Sequence, residues 1–450
     1  MAPPFMVSAP GKVIVFGEHA AVFGKPAVAA AISLRSYLLV TTLSKSQRTV
    51  TLNFRDIGLN HTWAIHHLPW EAFNHASKRK FYYSVVDHLD SDLLDAIAPH
   101  AEAVSRDFPE KERKVHIRSA TAFLYLFLSL GSHDSPGFTY TLRSTIPIGA
   151  GLGSSASICV CLSAALLLQI RTLSGPHPDQ PLEDAEVQID RINHWAFVGE
   201  LCIHGDPSGV DNTVSAGGKA VLFNKNRSGP PSVTPLVKFP KLRMFVIDTK
   251  QPRSTASQVE KVRRLRDNHP TTIELVLNAI NQVTSSALSL ISSNSFDGNN
   301  MYDAIDRFGT LVDINHGLLD ALGVSHPSLE RVRELVDHAG IGWTKLTGAG
   351  GGGCAITLIR PDVDEEVVRD LEQKFLAEGF HKYETVLGAD GVGVLWPAVF
   401  RNVLDGDNGE EIDQGKFENA DGAHGIEQLV GVGIREDRQG WRFWTRRADS

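Results

Sequence analysis

Cysteine is scarce in this chain, with only 4 among 450 residues. Cys159, Cys161, Cys202 and Cys354 show no CxxC spacing and sit within apolar runs, so no disulfide framework is expected and free thiols in a reducing compartment are. Positive charge is also in deficit. Lys and Arg number 44 against 52 Asp and Glu, a formal charge of -8, which leaves no basic face to hold a nucleic-acid backbone. Long hydrophobic runs are missing too: the most apolar stretch, Ala156 to Ile170, spans about 15 residues against the roughly 20 needed to cross a bilayer, and is expected as a buried helix. Met1 to Pro10 lacks the basic and apolar regions of a secretory signal, and Ala448-Asp449-Ser450 matches no peroxisomal or ER tag. A cytosolic protein without membrane insertion is the expectation. No Walker A loop occurs, and no internal repeat is visible.

What is present suits a sizeable core, with 42% hydrophobic and 8% aromatic residues, and the length suggests two domains. Val13–Phe16, Ser33–Thr42, Thr49–Phe54 and Gly137–Ile146 carry strand signals. Helical spacing runs through Trp70–Asp107 and Val115–Leu130, and Ser154–Ile170 and Leu182–Ile203 predict two long helices. A polar, Pro-rich stretch from Asn224 to Pro240 places a boundary between residues 1–228 and 241–400. The second portion alternates helices at Thr255–Asn268, Thr271–Ser292, Met301–Leu322 and Ser328–Ala339 with strands at Gly353–Ile359 and Gly391–Trp396, an α+β pattern. Residues 401–450 form a separate tail: an acidic, flexible link over Asp405–Gly422, then a possible hairpin over Ile426–Trp444 turning at Glu436–Gly440.

Three glycine-rich segments carry chemical information. Pro147-Ile148-Gly149-Ala150-Gly151-Leu152-Gly153-Ser154-Ser155-Ala156 places small residues and hydroxyls at the entrance of an apolar helix. Free N–H groups of the first turn, the helix dipole and the absence of Cβ atoms suit an anion, and a hydroxyl at Ser155 could ligand Mg²⁺. A tight strand-to-helix turn capped by Ser154 or Ser155 explains the same residues. Lys345-Leu346-Thr347-Gly348-Ala349-Gly350-Gly351-Gly352-Gly353-Cys354 leads straight into an apolar strand, so close packing against backbone fits it better than a flexible linker. Ser8 to His19 mixes charge with apolar neighbours: Lys12 follows a Pro-Gly turn, and Glu18 and His19 lie beyond the strand. Each of these three is compatible with a structural role when taken alone.

In this order the segments resemble the three motifs of the GHMP kinase superfamily, named for galactokinase, homoserine kinase, mevalonate kinase and phosphomevalonate kinase. Ser8–Ile32, with Ala-Pro-Gly-Lys-Val, Phe-Gly-Glu-His-Ala and Gly-Lys-Pro-Ala-Val, is most similar to the mevalonate kinase branch. Galactokinases carry an Arg-containing opening and Asp-Tyr after Glu-His, and phosphomevalonate kinases usually put Tyr where His19 stands. A fourth stretch, Gly199 to Asn212, resembles the segment supplying two acidic groups; Asp206 departs from the more usual Asn or Thr. The likeness runs from about Phe5 to Pro397, and none is identified beyond Phe400.

The resemblance implies a two-domain fold, with a ribosomal protein S5 domain 2-like N-terminal domain and a ferredoxin-like C-terminal domain. It implies ATP as co-substrate, Mg²⁺ held by Ser155 and Glu200, and mevalonate as acceptor. Asp211 and Lys12 would be the catalytic pair, and Pro147, Gly149, Ala150, Gly151, Leu152, Gly153, Ser154, Ser155 and Ala156 would cradle phosphates. Lys12, Glu18, His19, Asp211, Thr255, Gly348, Ala349 and Gly350 would face the substrate. It also implies a homodimer and feedback inhibition by prenyl diphosphates competing for the nucleotide site. Another kinase of the superfamily, such as phosphomevalonate kinase, and a catalytically silent nucleotide-binding regulator remain alternatives.

Overall fold

The computed structural model describes residues 3–446 except 45, 174, 177–180, 226–230, 294, 297–299, 403–409 and 433–437. Its frame is a 13-stranded sheet that continues through both portions of the chain. The first strand, Phe5–Phe16, is buried along nearly its whole length and pairs antiparallel with Ala27–Thr42 on one side and Gly393–Leu395 on the other. A strand covered on both faces requires an almost unbroken apolar run, which Val13 to Phe16 supplies. The long Ala27–Thr42 strand takes Phe138–Ser144 beside its later half and Ala220–Asn224 beside its earlier half. Thr49–Phe54 alternates half-buried and buried residues and lies parallel to Phe138–Ser144.

Leu387 pairs with Ile32 and carries the sheet into the second portion, through His381–Leu387, Leu242–Asp248, Cys354–Ile359 and Gly342–Leu346. Helices Glu110–Leu130, Ser154–Gln169 and Leu182–His204 supply much of one large core, in which Phe123, Phe127, Leu166 and Trp195 are buried. Ser154–Gln169 is apolar around its circumference, as a helix enclosed by other elements must be. A further core holds Val246, Phe308, Trp343 and Ile356, and another holds Ile247, Leu277, Val332 and Phe375. Pro270–Ser292 is long and apolar enough to reach across a bilayer, yet Ile273, Leu277 and Ile280 are buried in protein.

Four sequence expectations need correction. Trp70–Asp107 is not one helical stretch: helices occupy Trp70–Asn74 and Ser91–Glu102. Asp90 caps the second by accepting from the N–H groups of Asp92 and Leu93, and Lys78 grips the same carboxylate at 2.7 Å, which pins the intervening turns. The Pro-rich stretch after Asn224 is partly structured, because Ser232–Leu236 returns to pair with Ala220–Asn224; residues 226–230 lie outside the described set. Strands Gly342–Leu346 and His381–Leu387 and helix Glu365–Ala377 are further elements not anticipated from the sequence, although Val368, Leu371 and Phe375 recur at helical spacing and are buried. Finally, the tail packs. Helix Gly422–Val430 contains Ile426, while Arg438–Gln439 and Arg442–Phe443 pair with Val399–Asn402 and Gly393–Leu395 respectively, not with each other as a hairpin. Phe400, Ile412, Phe417, Ile426 and Val430 form a small core with Met6, Tyr37 and Leu39, so the apolar residues embedded in this acidic sequence have a surface to bury against.

Candidate active site

The glycine loop from Pro147 to Gly153 leaves the sheet and enters helix Ser154–Gln169. Gly149, Gly151 and Gly153 have φ of 76°, 77° and 75°, a region that side chains disfavour. Close approach is a second reason for glycine: a Cβ on Gly153 would come within 3.0 Å of Lys12 Cγ, and one on Gly151 within 1.9 Å of Arg253 Nη2. The backbone N–H of Lys12 donates to Leu152 O at 2.8 Å, so the first strand and this loop are fixed together.

Lys12 lies 3.3 Å from Asp211 Oδ2, and its ammonium also donates to Gly151 O at 3.3 Å. Asp211 occupies the first turn of helix Val210–Gly217, entered through Gly209 at φ 76°. On the other flank, Ser155 Oγ lies 3.0 Å from His204 Nε2, which is 3.9 Å from Glu200 Oε2. Burial pushes the Glu200 carboxyl up to about 7, against the opposing influence of Ser155 and Lys12. The Glu200 carboxylate and the Ser155 hydroxyl are the oxygen groups on this flank that could take a divalent cation, and a dication there would hold Glu200 ionised.

The second glycine run closes the cavity from the other portion of the chain. His19, at φ 60°, is hydrogen-bonded through Nε2 to Ala349 O at 2.9 Å, and burial lowers its pKa. The Thr347 hydroxyl donates to Ile14 O at 2.9 Å and accepts from Ile14 N at 3.2 Å. Arg253 bridges both glycine loops, donating from Nη1 to Thr347 O at 3.0 Å and from Nη2 to Ala150 O at 2.8 Å. Glu18 is turned to a different partner: its carboxylate ion-pairs with the buried Lys345 and accepts from Asn315 Nδ2 at 3.0 Å.

A cavity of about 650 Å³ gathers Lys12, Glu18, His19, Asp211, Thr255, Gly348 and Ala349 from the substrate set. Pro147, Gly149, Gly151, Leu152, Gly153, Ser154 and Ser155 line it as well. Ala150 and Ala156 are buried away from its surface, and Gly350 is packed against Val324 O, where a Cβ would stand at 2.1 Å. Glu200 reaches the site from beneath, through Ser155 and His204. Sequence reasoning missed Arg118, His204 and Arg253, all of which line the cavity. His204 was findable, since a spacing of four from Glu200 puts both on one helix face; the carbonyl-bridging role of Arg253 depends on two loops distant in sequence.

A phosphate cradle at a helix start, facing a Lys–Asp pair across one cavity, is the site of a GHMP kinase, and this chain belongs to that superfamily. The family model for the GHMP kinase N-terminal domain matches residues 116–219, and that for the C-terminal region matches 301–377. Within the superfamily the chain belongs to the mevalonate kinases. It is 69% identical to the mevalonate kinase of Aspergillus fumigatus over 99% of this chain and 83% of that protein. The mevalonate kinase of Gibberella zeae is 62% identical over 99% of this chain and 88% of its own length. The alignment to the Aspergillus protein runs over 447 residues, so the tail beyond Phe400 does have a counterpart. Among solved structures, Methanococcus jannaschii mevalonate kinase superposes with a TM-score of 0.59 at 23% identity, covering 84% of this chain and 97% of that one, which establishes the shared fold.

Proposed function

We propose that this chain phosphorylates the C5 hydroxyl of mevalonate with ATP, yielding 5-phosphomevalonate and ADP. The observation that carries the reading is the Lys12–Asp211 pair at 3.3 Å, opening on the same cavity as the Pro147–Ser155 loop. Phosphoryl transfer asks little covalent chemistry of a protein, so positioning and charge compensation supply most of the rate. Asp211 accepts the proton of the acceptor hydroxyl as its oxygen bonds to the γ-phosphorus and the bond to the β–γ bridging oxygen breaks. Lys12, 3.3 Å from Asp211, offsets charge on the moving phosphoryl group. Backbone N–H groups of the glycine loop and the start of helix Ser154–Gln169 hold the phosphates. Ser155 and Glu200 would hold Mg²⁺, whose charge would screen the β- and γ-phosphates. His19, Thr255, Gly348 and Ala349 shape the acceptor side.

Four cysteines present as free thiols support a reducing cytosolic setting. A homodimer and inhibition by prenyl diphosphates at the nucleotide site rest on the family resemblance alone. ADP release measured with mevalonate, phosphomevalonate, galactose and homoserine in parallel tests the reading. Turnover with mevalonate alone is expected; turnover with phosphomevalonate in its place, or with none of the four, would overturn it.

A further inference from the structure

A second cleft of about 720 Å³ shares no lining residue with the catalytic cavity, and the tail builds much of it. Trp441, Arg442 and Phe443 from the tail meet Trp396, Lys241 and Asp390, with Arg35 on the inner wall. Among its described lining residues are three cations, Arg35, Lys241 and Arg442, and a single carboxylate, Asp390. That carboxylate is already shared, lying 2.8 Å from Lys241 and 2.9 Å from Lys219.

Arg35 is therefore short of negative charge. Its guanidinium donates only to uncharged oxygens: Ser8 Oγ at 2.7 Å, Ser8 O at 3.2 Å, Asp390 O at 2.8 Å and Gly391 O at 2.5 Å. Among the described residues no carboxylate stands within ion-pair distance of it. The other acid close enough to influence it is Glu427, which burial pushes up to about 7, so near neutral pH that group carries only part of its charge. Burial correspondingly lowers the pKa of Arg35 itself. A buried cation without an anion is costly, and a cleft open beside it gives an anion room to enter.

The walls indicate what the anion is attached to. Trp396 is 46% exposed, with its ring stacked on Phe5 at 4.6 Å, and Phe443 lies against the Arg35 guanidinium at 5.3 Å. An exposed indole beside three cations that share the single carboxylate of Asp390 favours a ligand that is flat and apolar at one end and charged at the other.

We infer that this cleft binds a small organic anion, a carboxylate or phosphate borne on a flat apolar body. The charged end meets Lys241 and Arg442 under the field of Arg35, and the flat end lies against Trp396.

Isothermal titration of the full chain, presaturated with a non-hydrolysable ATP analogue and Mg²⁺ to block the catalytic cavity, tests this. The probes are 1-naphthyl phosphate, 2-naphthoate, inorganic phosphate and 1-naphthol; the first two identify the preferred head group. A naphthyl anion is expected to bind at one site at least about tenfold more tightly than phosphate or naphthol alone. Lys241→Glu and Trp396→Ala should each weaken it by about tenfold or more while mevalonate turnover stays unchanged and each variant still unfolds in one cooperative transition. The inference is overturned if neither naphthyl anion saturates, if naphthol binds as well as the anions, or if both variants bind like the wild type.

Discussion

Among the lysine–carboxylate pairs that join distant parts of this chain, Lys12 with Asp211 and Lys345 with Glu18 have surroundings that give them different work. The side chains of Lys345 and Glu18 are 0% and 0% exposed, whereas those of Lys12 and Asp211 are 11% and 33% exposed. Lys345 spends a further donor on Leu346 O at 2.8 Å, and Glu18 takes a further donor from Asn315 at 3.0 Å, so the inner pair is saturated. Burial lowers the Lys345 pKa, with Glu18 pulling it back up. The outer pair keeps a face toward the cavity. A saturated pair welds the first strand's exit to Gly342–Leu346; an open one has capacity left for a substrate. Identical chemistry becomes structural or reactive according to whether a third group can reach it.

The largest effect should separate the two in activity. Asp211→Asn removes the proton acceptor while preserving shape, so kcat should fall about 10²- to 10⁴-fold, with ATP binding and melting temperature retained. Turnover near wild type would put Asp211 in the structural class with Glu18. Next comes stability. Lys345→Ala strands a buried carboxylate and should cost about 3–5 kcal/mol in denaturant unfolding, a loss that Lys12→Ala should not approach. Equal losses would erase the distinction.

The smallest effect concerns pH and a third buried acid. Glu427 has its folded pKa raised to about 7 by burial, above its ordinary value of 4.5, and accepts from the Tyr37 hydroxyl at 3.1 Å. A carboxyl raised on folding contributes most below its unfolded pKa and loses that contribution as pH climbs through the folded one. Stability should therefore decline by about 1–3 kcal/mol between pH 5 and pH 8, and Glu427→Gln should flatten that decline. An unchanged pH slope in the variant would show that Glu427 does not carry the decline.

Much of the site was legible because its parts are local. A glycine loop followed by Ser154 and an apolar helix announces its geometry within ten residues, and Thr255–Asn268 is marked by Ser254, whose hydroxyl accepts from Ser257 N at 3.3 Å. Glu18 was legible as important, and it does line the cavity, but nothing near it in sequence indicates its partner Lys345, which is 327 positions away. Arg253 was passed over for the same reason: its acceptors, Ala150 O and Thr347 O, are backbone atoms of two remote loops. The link Asp405–Gly422 was read as flexible because its composition is polar; residues 405–409 lie outside the described set, but Phe417 in its later half is buried, as are Ile426 and Val430 beyond it, against the first two strands.

By itself the sequence determined the periodic helices, the alternating strands, the glycine positions that need positive φ and the inventory of acid, base and hydroxyl groups, since these depend on neighbours a few residues apart. Tertiary structure alone decided which lysine meets which carboxylate, which of those pairs stays open to a substrate, and that the tail completes a second cleft. Those outcomes depend on burial and on contacts hundreds of residues apart, and neither is a property of any local stretch of chain.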